Sequence, residues 1–140
     1  MYSYQYPRPA VTVDAILISS QNSVLLIERG REPYRGKWAL PGGFIEMDEP
    51  LELACQREVE EETGLKIVEL KQFKAFGAVG RDPRHRTISV LFYSFLKEEP
   101  NPRAGDDAAK AKWFPIDKLP ELAFDHQQIL DEFKADILNH

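Results

Sequence analysis

The chain has 140 residues, of which 43% are hydrophobic and 29% are charged, and its formal net charge is −5. This length and composition fit one globular domain with a sizeable core. The acidic balance excludes a broad basic surface for nucleic acid, because duplex binding needs many Lys or Arg contacts to phosphate. A small anionic substrate is compatible with this charge only where local arginines or bound metal ions offset it.

Cysteine content and the N-terminus bear on location. Cys55 is the only cysteine, which excludes an intramolecular disulfide and disfavours a cysteine-based zinc site. The opening stretch MYSYQYPRPA lacks the basic and then apolar order of a signal peptide. No apolar run approaches the roughly 20 residues that a membrane helix needs. We therefore expect a cytoplasmic protein with neither nucleic acid nor membrane as a partner.

The first part of the chain predicts a hairpin and then a glycine-rich loop. VTVDAILIS and VLLIER are apolar and rich in β-branched residues, as buried strands are, and SQNS between them favours a turn. The polar stretch REPYRGKW indicates a loop. In ALPGGF, Pro41 fixes φ, while Gly42 and Gly43 permit close approach of a ligand.

The clearest predicted helix follows at about 50–63. Pro50 suits its first position, and Gly64 is a natural stop. The remaining predicted elements are one or two strands in 65–80, a loop at 81–86, a strand at 87–96, a polar connection at 97–111, a short strand at 112–116 and an amphipathic helix at 123–138. This mixture of strands and helices predicts an α/β or α+β fold.

The last predicted helix has a well-defined start. Asp125 is placed to cap it, and Gln128 stands at the capping-box position. Phe124 is spaced to pack on Ile129 as a hydrophobic staple. This interpretation accounts for the motif Phe124-Asp125-His126, so we assign His126 no catalytic role.

Four glutamates crowd the end of the first helix, in REVEEETGL at 57–65. At about 100° per residue, Glu58, Glu61 and Glu62 share an arc of roughly 100°, on the side that also carries apolar residues. Glu60 faces the other way, and we expect it to be replaceable. Inward carboxylates are costly when buried unpaired, so they predict either cationic partners or a hard divalent cation. A solvated charged face is the alternative.

The residues around the glutamates carry a longer motif. GFIEMDEPLELACQREVEEETGL has Gly43, Glu49, Arg57-Glu58, Glu61-Glu62 and Gly64 at fixed spacings, with aliphatic Val59 and Leu65. It resembles the Nudix box, GX5EX7REUXEEXGU with U aliphatic, at every specified position. The resemblance implies a Nudix-type α/β/α sandwich with a mixed central sheet, spanning 1–140 as a single domain.

The resemblance also implies a chemistry and a site. Nudix enzymes hydrolyse nucleoside diphosphates linked to another moiety, with Mg²⁺ or Mn²⁺ held by the box. The resemblance implies as metal ligands the side chains of Glu58, Glu61 and Glu62 and the carbonyl of Gly42, with Arg57 orienting the glutamates and Glu49 supporting it.

The general base is left open at this point, because Nudix enzymes use either a box glutamate or an acid on a downstream loop. Glu58 is the box candidate, and Asp106 and Asp107 in AGDDAAKAKW are the loop candidates. A solvated turn is the alternative interpretation of those two aspartates.

Two further stretches point to a substrate. GRDPRHRTISVLFYSFL and GDDAAKAKWFPIDKLPELAFDH are similar to segments of short ADP-ribose pyrophosphatases, and also of Nudix-like domains in NAD-biosynthesis repressors. Arg81, Arg84 and Arg86 are then candidates to contact phosphates or ribose hydroxyls, with solvated loop arginines as the alternative. Trp38 is a candidate to stack on a base, as are Phe44 and Tyr34, although core or loop packing accounts better for each of them individually.

The resemblance predicts hydrolysis of ADP-ribose to AMP and ribose 5-phosphate. The alternatives are a Nudix hydrolase for another nucleotide and a non-catalytic ADP-ribose sensor. An intact box and a length without room for a winged-helix domain favour the enzyme. A homodimer is a further option, with the aromatic N-terminal segment as its interface.

Overall fold

The computed structural model describes residues 5–105 and 108–139, which form a seven-stranded mixed sheet with helices packed on both faces. The elements are β1 Ala10–Ser19, β2 Ser23–Arg29, β3 Trp38–Ala39, β4 Gly42–Phe44, α1 Leu51–Thr63, β5 Lys71–Phe76, β6 Thr87–Leu96, β7 Ala108–Pro115 and α2 His126–Phe133. A π-helical stretch, Lys134–Leu138, continues α2.

Strand β1 is the centre of the sheet. The strand order is β3-β2-β1-β6-β5, with β4 paired to β1 and β7 paired to β2. β1 and β6 are parallel from Ala10 opposite Thr87 to Ser19 opposite Leu96, and all other pairs are antiparallel. A central strand of this kind is covered on both faces, which explains the nearly continuous apolar run in β1.

The two faces of β1 form two different hydrophobic cores. Val13, Ala15 and Leu17 pack with residues of α1, whereas Ile16 and Ile18 pack with residues of α2. Side chains alternate along a strand, so odd and even positions are buried on opposite sides. The expected sandwich with a mixed central sheet is therefore confirmed.

Most predicted elements lie where the sequence placed them. The β1–β2 hairpin, the helix ending at Gly64 and the strand at 87–96 are confirmed, and the stretch 65–80 contains one strand. β7 begins at Ala108, earlier than the predicted 112, because its alanine- and lysine-rich start pairs with the end of β2. Pairing with a neighbouring strand outweighs the weak strand propensity of those residues.

No helix in the described ranges is long and apolar enough to cross a membrane.

Candidate active site

A cleft of about 450 Å³ opens between the start of β1, β4, α1, the loop after β5 and the start of α2. The charged residues that line it are Arg29, Arg31, Arg57, Arg81 and Arg84, together with Asp14, Glu46, Glu58, Glu62 and Asp82. Five arginines therefore stand against five carboxylates in the cleft, although the whole chain has a net charge of −5. The local arginines that an anionic substrate requires are present.

Two glutamates of α1 form the acidic wall, and two glycines of β4 let them approach. The backbone N–H of Gly42 donates to Oε1 of Glu62 at 2.7 Å. The carboxylate of Glu58 lies directly over Gly43, where a Cβ would stand 2.5 Å from Oε2. Any larger residue at position 43 would displace this carboxylate, so the glycine is needed for the geometry of the wall.

Burial perturbs both carboxylates of the acidic wall. It raises the pKa of Glu62 to about 8, a shift that the charges of Glu58 and Asp14 reinforce and the Gly42 N–H opposes. The pKa of Glu58 is also raised, mainly by burial, while Arg57 acts in the opposite direction. Raised pKa values of this kind indicate that several carboxylates lie close together with little access to water.

Arg57 connects the acidic wall to the loop before α1. Its guanidinium group pairs with Glu49 at 2.6 Å, Glu58 at 2.9 Å and Glu61 at 3.2 Å, and it also donates to the carbonyl of Phe44. The pKa of Arg57 is raised, chiefly by its hydrogen bonds to Glu49. Arg57 therefore contacts three glutamates of the box, Glu49, Glu58 and Glu61, and its orienting role stays a prediction.

Glu61 differs from the helical-wheel expectation. Its side chain is 58% exposed and pairs with Arg57, so it does not share the inward position of Glu58 and Glu62. The buried face of α1 runs through Ala54, Cys55, Val59 and Thr63, which lies to one side of the predicted arc. Glu62 falls near the middle of that face and Glu61 beyond its edge.

The acidic wall fits a hard divalent cation in its chemistry. Its donors are carboxylate oxygens, which suit Mg²⁺ or Mn²⁺, and Glu58 and Glu62 meet at the glycine pair. Within the residues that the structure describes, no three His, Cys, Asp or Glu side chains already converge as a metal site. The ion pair between Glu61 and Arg57 accounts for this, because it holds the third predicted ligand on the exposed side.

The loop after β5 supplies the basic wall, in two rigid pairs. Nε and Nη2 of Arg81 donate to Asp125 at 2.9 and 2.7 Å, and the Arg81 side chain is only 4% exposed. Arg84 donates in the same bidentate way to Asp82, and its guanidinium group lies 5.2 Å from the ring centre of Phe44. Bidentate pairs fix the plane of a guanidinium group.

Two predicted substrate contacts do not line the cleft. Arg86 donates to the backbone carbonyl of Gly77 at 2.6 Å on an exposed surface. Trp38 packs edge-on against Phe114, with ring centres 4.7 Å apart. Core packing, the alternative for Trp38, is what the structure shows. The loop candidates Asp106 and Asp107 lie outside the described residues.

Asp14, Arg29 and Phe124 are among the cleft-lining residues that the sequence did not predict as part of the site. Asp14 accepts a hydrogen bond from the hydroxyl of Ser89, and burial raises its pKa to about 6. Arg29 lies 5.0 Å from the ring centre of Phe124. Of these three residues only Asp14 stands out in the sequence, because it is the one charged residue in the apolar run VTVDAILIS.

His126 also lines the cleft, and it has a structural task. It is only 3% exposed, and its Nδ1 accepts a hydrogen bond from the backbone N–H of Leu40 at 3.0 Å. Burial lowers its pKa to about 4, so the ring is neutral in the folded protein at physiological pH. This contact joins the start of α2 to the segment before the two glycines.

His126 should make the free energy of unfolding depend on pH. The folded protein holds this ring neutral down to about pH 4, whereas the unfolded chain protonates it near pH 6.5. Stability is therefore fully present above pH 6.5 and falls between 6.5 and 4, by about 3 kcal/mol for this residue. His126→Asn keeps an acceptor near Nδ1, and denaturant melts across this range should show a loss smaller than in the wild type. An equal loss in both proteins would contradict the assignment.

The chain is similar to known proteins over most of its length. Residues 8–136 match the NUDIX domain family. The chain is 43% identical over 129 residues to the ADP-ribose pyrophosphatase of Methanocaldococcus jannaschii, covering 91% of this chain and 75% of that protein. It is 32% identical over 141 residues to the ADPR responsive transcriptional repressor NtrR of Acinetobacter baylyi, and spans 56% of that repressor's length.

Solved structures are similar over almost the whole chain. The NUDIX domain of Shewanella oneidensis NrtR, complexed with ADP ribose, superposes with a TM-score of 0.86 at 30% identity, covering 93% of this chain and 89% of that one. A bifunctional NMN adenylyltransferase/ADP ribose pyrophosphatase from Francisella tularensis, complexed with AMP and a Mn ion, gives 0.85 at 31% identity, covering 95% and 43%.

Proposed function

The chain belongs to the NUDIX family, and from that premise we propose that it hydrolyses ADP-ribose to AMP and ribose 5-phosphate with the help of a divalent metal ion. The observation that carries the proposal is a cleft with a carboxylate wall opposite an arginine wall, in a chain 43% identical to an ADP-ribose pyrophosphatase. A diphosphate bridging the two walls would meet positive charge from both.

The acidic wall is the proposed metal site. Glu58 and Glu62 would hold Mg²⁺ or Mn²⁺, with Glu61 and the carbonyl of Gly42 as further ligands. Such an ion supplies neutralisation of phosphate charge and a bound water of lowered pKa. Support comes from the oxygen-only donor set and from a similar structure that contains a Mn ion.

Glu58 is the proposed general base for the attacking water. Its pKa is raised towards the operating pH, which favours proton transfer in both directions. Arg57 would keep its carboxylate oriented, and Glu49 would in turn hold Arg57. Asp106 or Asp107 would take the proton instead if the base lies on the downstream loop.

The opposite side of the cleft would bind the rest of the substrate. Arg81 and Arg84, with Arg29, present guanidinium groups to phosphates and ribose hydroxyls. Phe44, which is 39% exposed, replaces Trp38 as the aromatic surface available to a base. Stacking on such a ring contributes about 1–3 kcal/mol per base.

A substrate panel tests the proposal. Purified protein with Mg²⁺ should hydrolyse ADP-ribose at least as well as NADH, diadenosine polyphosphates and nucleoside triphosphates. Preference for one of those other compounds would keep the NUDIX chemistry and overturn the substrate. Tight binding of ADP-ribose without turnover would instead favour a sensor, which the similarity to ADP-ribose-responsive repressors makes the second candidate.

Added metal should stabilise the protein. A cation in the acidic wall relieves the repulsion between Glu58 and Glu62, and saturation at 100 times Kd corresponds to about 2.7 kcal/mol. For a chain of this size that is a rise in Tm of about 5 °C or more. Differential scanning fluorimetry with Mg²⁺ and with EDTA measures it. A Tm unchanged by both Mg²⁺ and Mn²⁺ would contradict the metal site.

Three wider expectations stay predictions. A cytoplasmic location rests on the single cysteine. The small-molecule nucleotide is the proposed partner, with no nucleic acid or membrane expected from the net charge. A homodimer is tested by sedimentation.

A further inference from the structure

Residues 123–126, which lead into α2, do more than begin a helix. Each of the four makes a separate tie to another segment, and those of Phe124, Asp125 and His126 reach residues that line the cleft. These ties are the Ala123 N–H to the Trp38 carbonyl at 2.8 Å, the Phe124 ring to Arg29 and Arg84, the Asp125 carboxylate to Arg81, and His126 Nδ1 to the Leu40 N–H. The proposed chemistry leaves this segment without a role.

Asp125 binds Arg81 and does not cap α2 as the sequence predicts. Its side chain makes no capping hydrogen bond to α2, so the predicted cap is wrong. Both carboxylate oxygens accept instead from Arg81, at 2.9 and 2.7 Å. A bidentate bond between charged groups, largely removed from water, is stronger than an N-cap contact. The carboxylate therefore serves the cleft in preference to the helix.

The bond to Asp125 leaves one end of Arg81 available to a ligand. Asp125 takes Nε and Nη2, and Nη1 donates to none of the described residues. Since no buried side-chain nitrogen in the described ranges lacks a partner, Nη1 is accessible to solvent. The whole Arg81 side chain is only 4% exposed, and this residue lines the cleft. Nη1 therefore opens into that cavity.

Phe124 holds two further guanidinium groups. Its ring centre is 5.0 Å from Cζ of Arg29 and 5.6 Å from Cζ of Arg84, and the edge of Tyr34 packs against it. The backbone φ of Phe124 is 53°, a left-handed conformation that is unfavourable for a bulky residue. Phe124 packs against the cluster that contains Ile27 and Ala123, whereas Ile129, its expected staple partner, belongs to another core cluster. Strain of this kind is commonly found where function requires it.

The two guanidinium groups on the Phe124 ring, those of Arg29 and Arg84, favour an anion between them. Burial lowers the pKa of Arg29, and the neighbouring Arg84 lowers it further. Two guanidinium groups on one ring repel each other, and a phosphate between them would turn that repulsion into attraction. Arg29, Arg81 and Arg84, hereafter the three cleft arginines, are thus all contacted by two consecutive residues, in addition to the bonds from Arg84 to Asp82 and from Arg29 to the carbonyl of Pro33.

We propose that Phe124 and Asp125 are positioning residues, which aim the three cleft arginines at the diphosphate of the substrate. This inference rests on the proposed function for the identity of the anion. Neither residue needs to touch the reacting atoms. Each acts through the guanidinium groups that it holds.

The expected signature is a rise in KM with little change in kcat. Contacts to a phosphate act in the bound substrate and in the transition state alike, so their loss weakens both equally. Asp125→Asn removes the charge that orients Arg81 and should raise KM for ADP-ribose about tenfold. Phe124→Leu keeps an apolar side chain but loses the ring, and should raise KM about threefold. In both, kcat should stay within about threefold of the wild type.

Two matched controls separate positioning from general damage. Asp131→Asn makes the same change on an exposed carboxylate of α2, and Phe95→Leu removes an aromatic ring that is 55% exposed and outside the cleft. Both should keep the wild-type KM. A purely structural effect would reduce the active fraction, and hence kcat, and leave KM unchanged. Asp125→Asn leaves the Arg81 charge unpaired, so thermal melts establish its folded fraction, and Phe124→Leu disturbs no ion pair.

Binding of ADP, measured by calorimetry in EDTA, gives a readout independent of turnover. Affinity should fall about tenfold in Asp125→Asn and about threefold in Phe124→Leu. If the wild type hydrolyses ADP-ribose while both variants keep its KM and its ADP affinity, the positioning role is overturned and the proposed function stands. If the wild type binds ADP without hydrolysis and the variants bind it more weakly, the positioning role stands and the proposed function falls. A wild type that neither binds ADP nor hydrolyses ADP-ribose would overturn both.

Discussion

Glu62→Gln is expected to lower kcat/KM for ADP-ribose by about 10³-fold or more. The substitution keeps the size of the side chain and an oxygen that can accept the Gly42 N–H, now 2.7 Å from Oε1. It removes the negative charge that the proposed metal site requires, at the most buried of the three box glutamates. Steady-state hydrolysis in saturating Mg²⁺ measures the loss.

Glu60→Gln is the matched control, because Glu60 is an exposed glutamate of the same helix whose nearest cation is Lys66 at 3.9 Å. It should retain wild-type activity. Glu62→Gln should not unfold the protein. The folded-state pKa of Glu62 is about 8, above the unfolded value near 4.5, so in EDTA its ionisation costs stability as pH rises through that window. The variant should therefore melt at or above the wild-type temperature at pH 8. Activity within a few-fold of wild type would remove Glu62 from the metal site.

Gly43→Ala is expected to lower kcat/KM by about 10²-fold with little change in Tm. The added Cβ would lie 2.5 Å from Oε2 of Glu58, so this carboxylate has to move. The displaced group is the far end of a flexible side chain, which makes the move cheap for the fold. It is costly for chemistry, since Glu58 is both a proposed metal ligand and the proposed base.

Gly77→Ala provides the comparison. A Cβ there would meet Ile88 at 3.6 Å and Nη2 of Arg86 at 4.0 Å, both ordinary contact distances, and Gly77 lies outside the cleft lining. It should leave activity and melting unchanged. A Gly43→Ala protein that keeps full activity would show that the position of Glu58 over this glycine does not matter. A protein that unfolds would place the effect in the fold.

The chemistry of α1 could be predicted from the sequence more completely than its geometry. Spacing alone grouped Glu58, Glu61 and Glu62 on one arc and put Glu60 outside it. Glu58 and Glu62 lie on the inward side, but Glu61 is exposed, because the centre of the buried face depends on what packs against the helix. Arg103 and Gly105 cover its last turn, with the Arg103 N–H donating to the Thr63 carbonyl at 2.6 Å. Thr63, beside this contact, is completely buried, and the buried face of the helix is centred near Glu62. No helical wheel contains that information.

The basic wall shows the opposite limit. The sequence identified the arginine loop at 81–86 but gave no means of choosing among its arginines. The choice depends on Asp125, 44 positions away from Arg81, and on the strand pairing that brings the two segments together. Local rules assigned Asp125 to the start of α2, where a cap is the favoured contact. In the folded protein the Asp125 carboxylate binds the buried Arg81 instead, and this contact joins residues that are far apart in the sequence.

The most direct test of the central claim is a product analysis. Wild-type protein is incubated with ADP-ribose and Mg²⁺, and in parallel with EDTA, and the nucleotides are separated by chromatography. We expect AMP and ribose 5-phosphate in equal amounts with Mg²⁺, and intact ADP-ribose with EDTA. Intact ADP-ribose in both reactions, or turnover that continues at the same rate in EDTA, would contradict it.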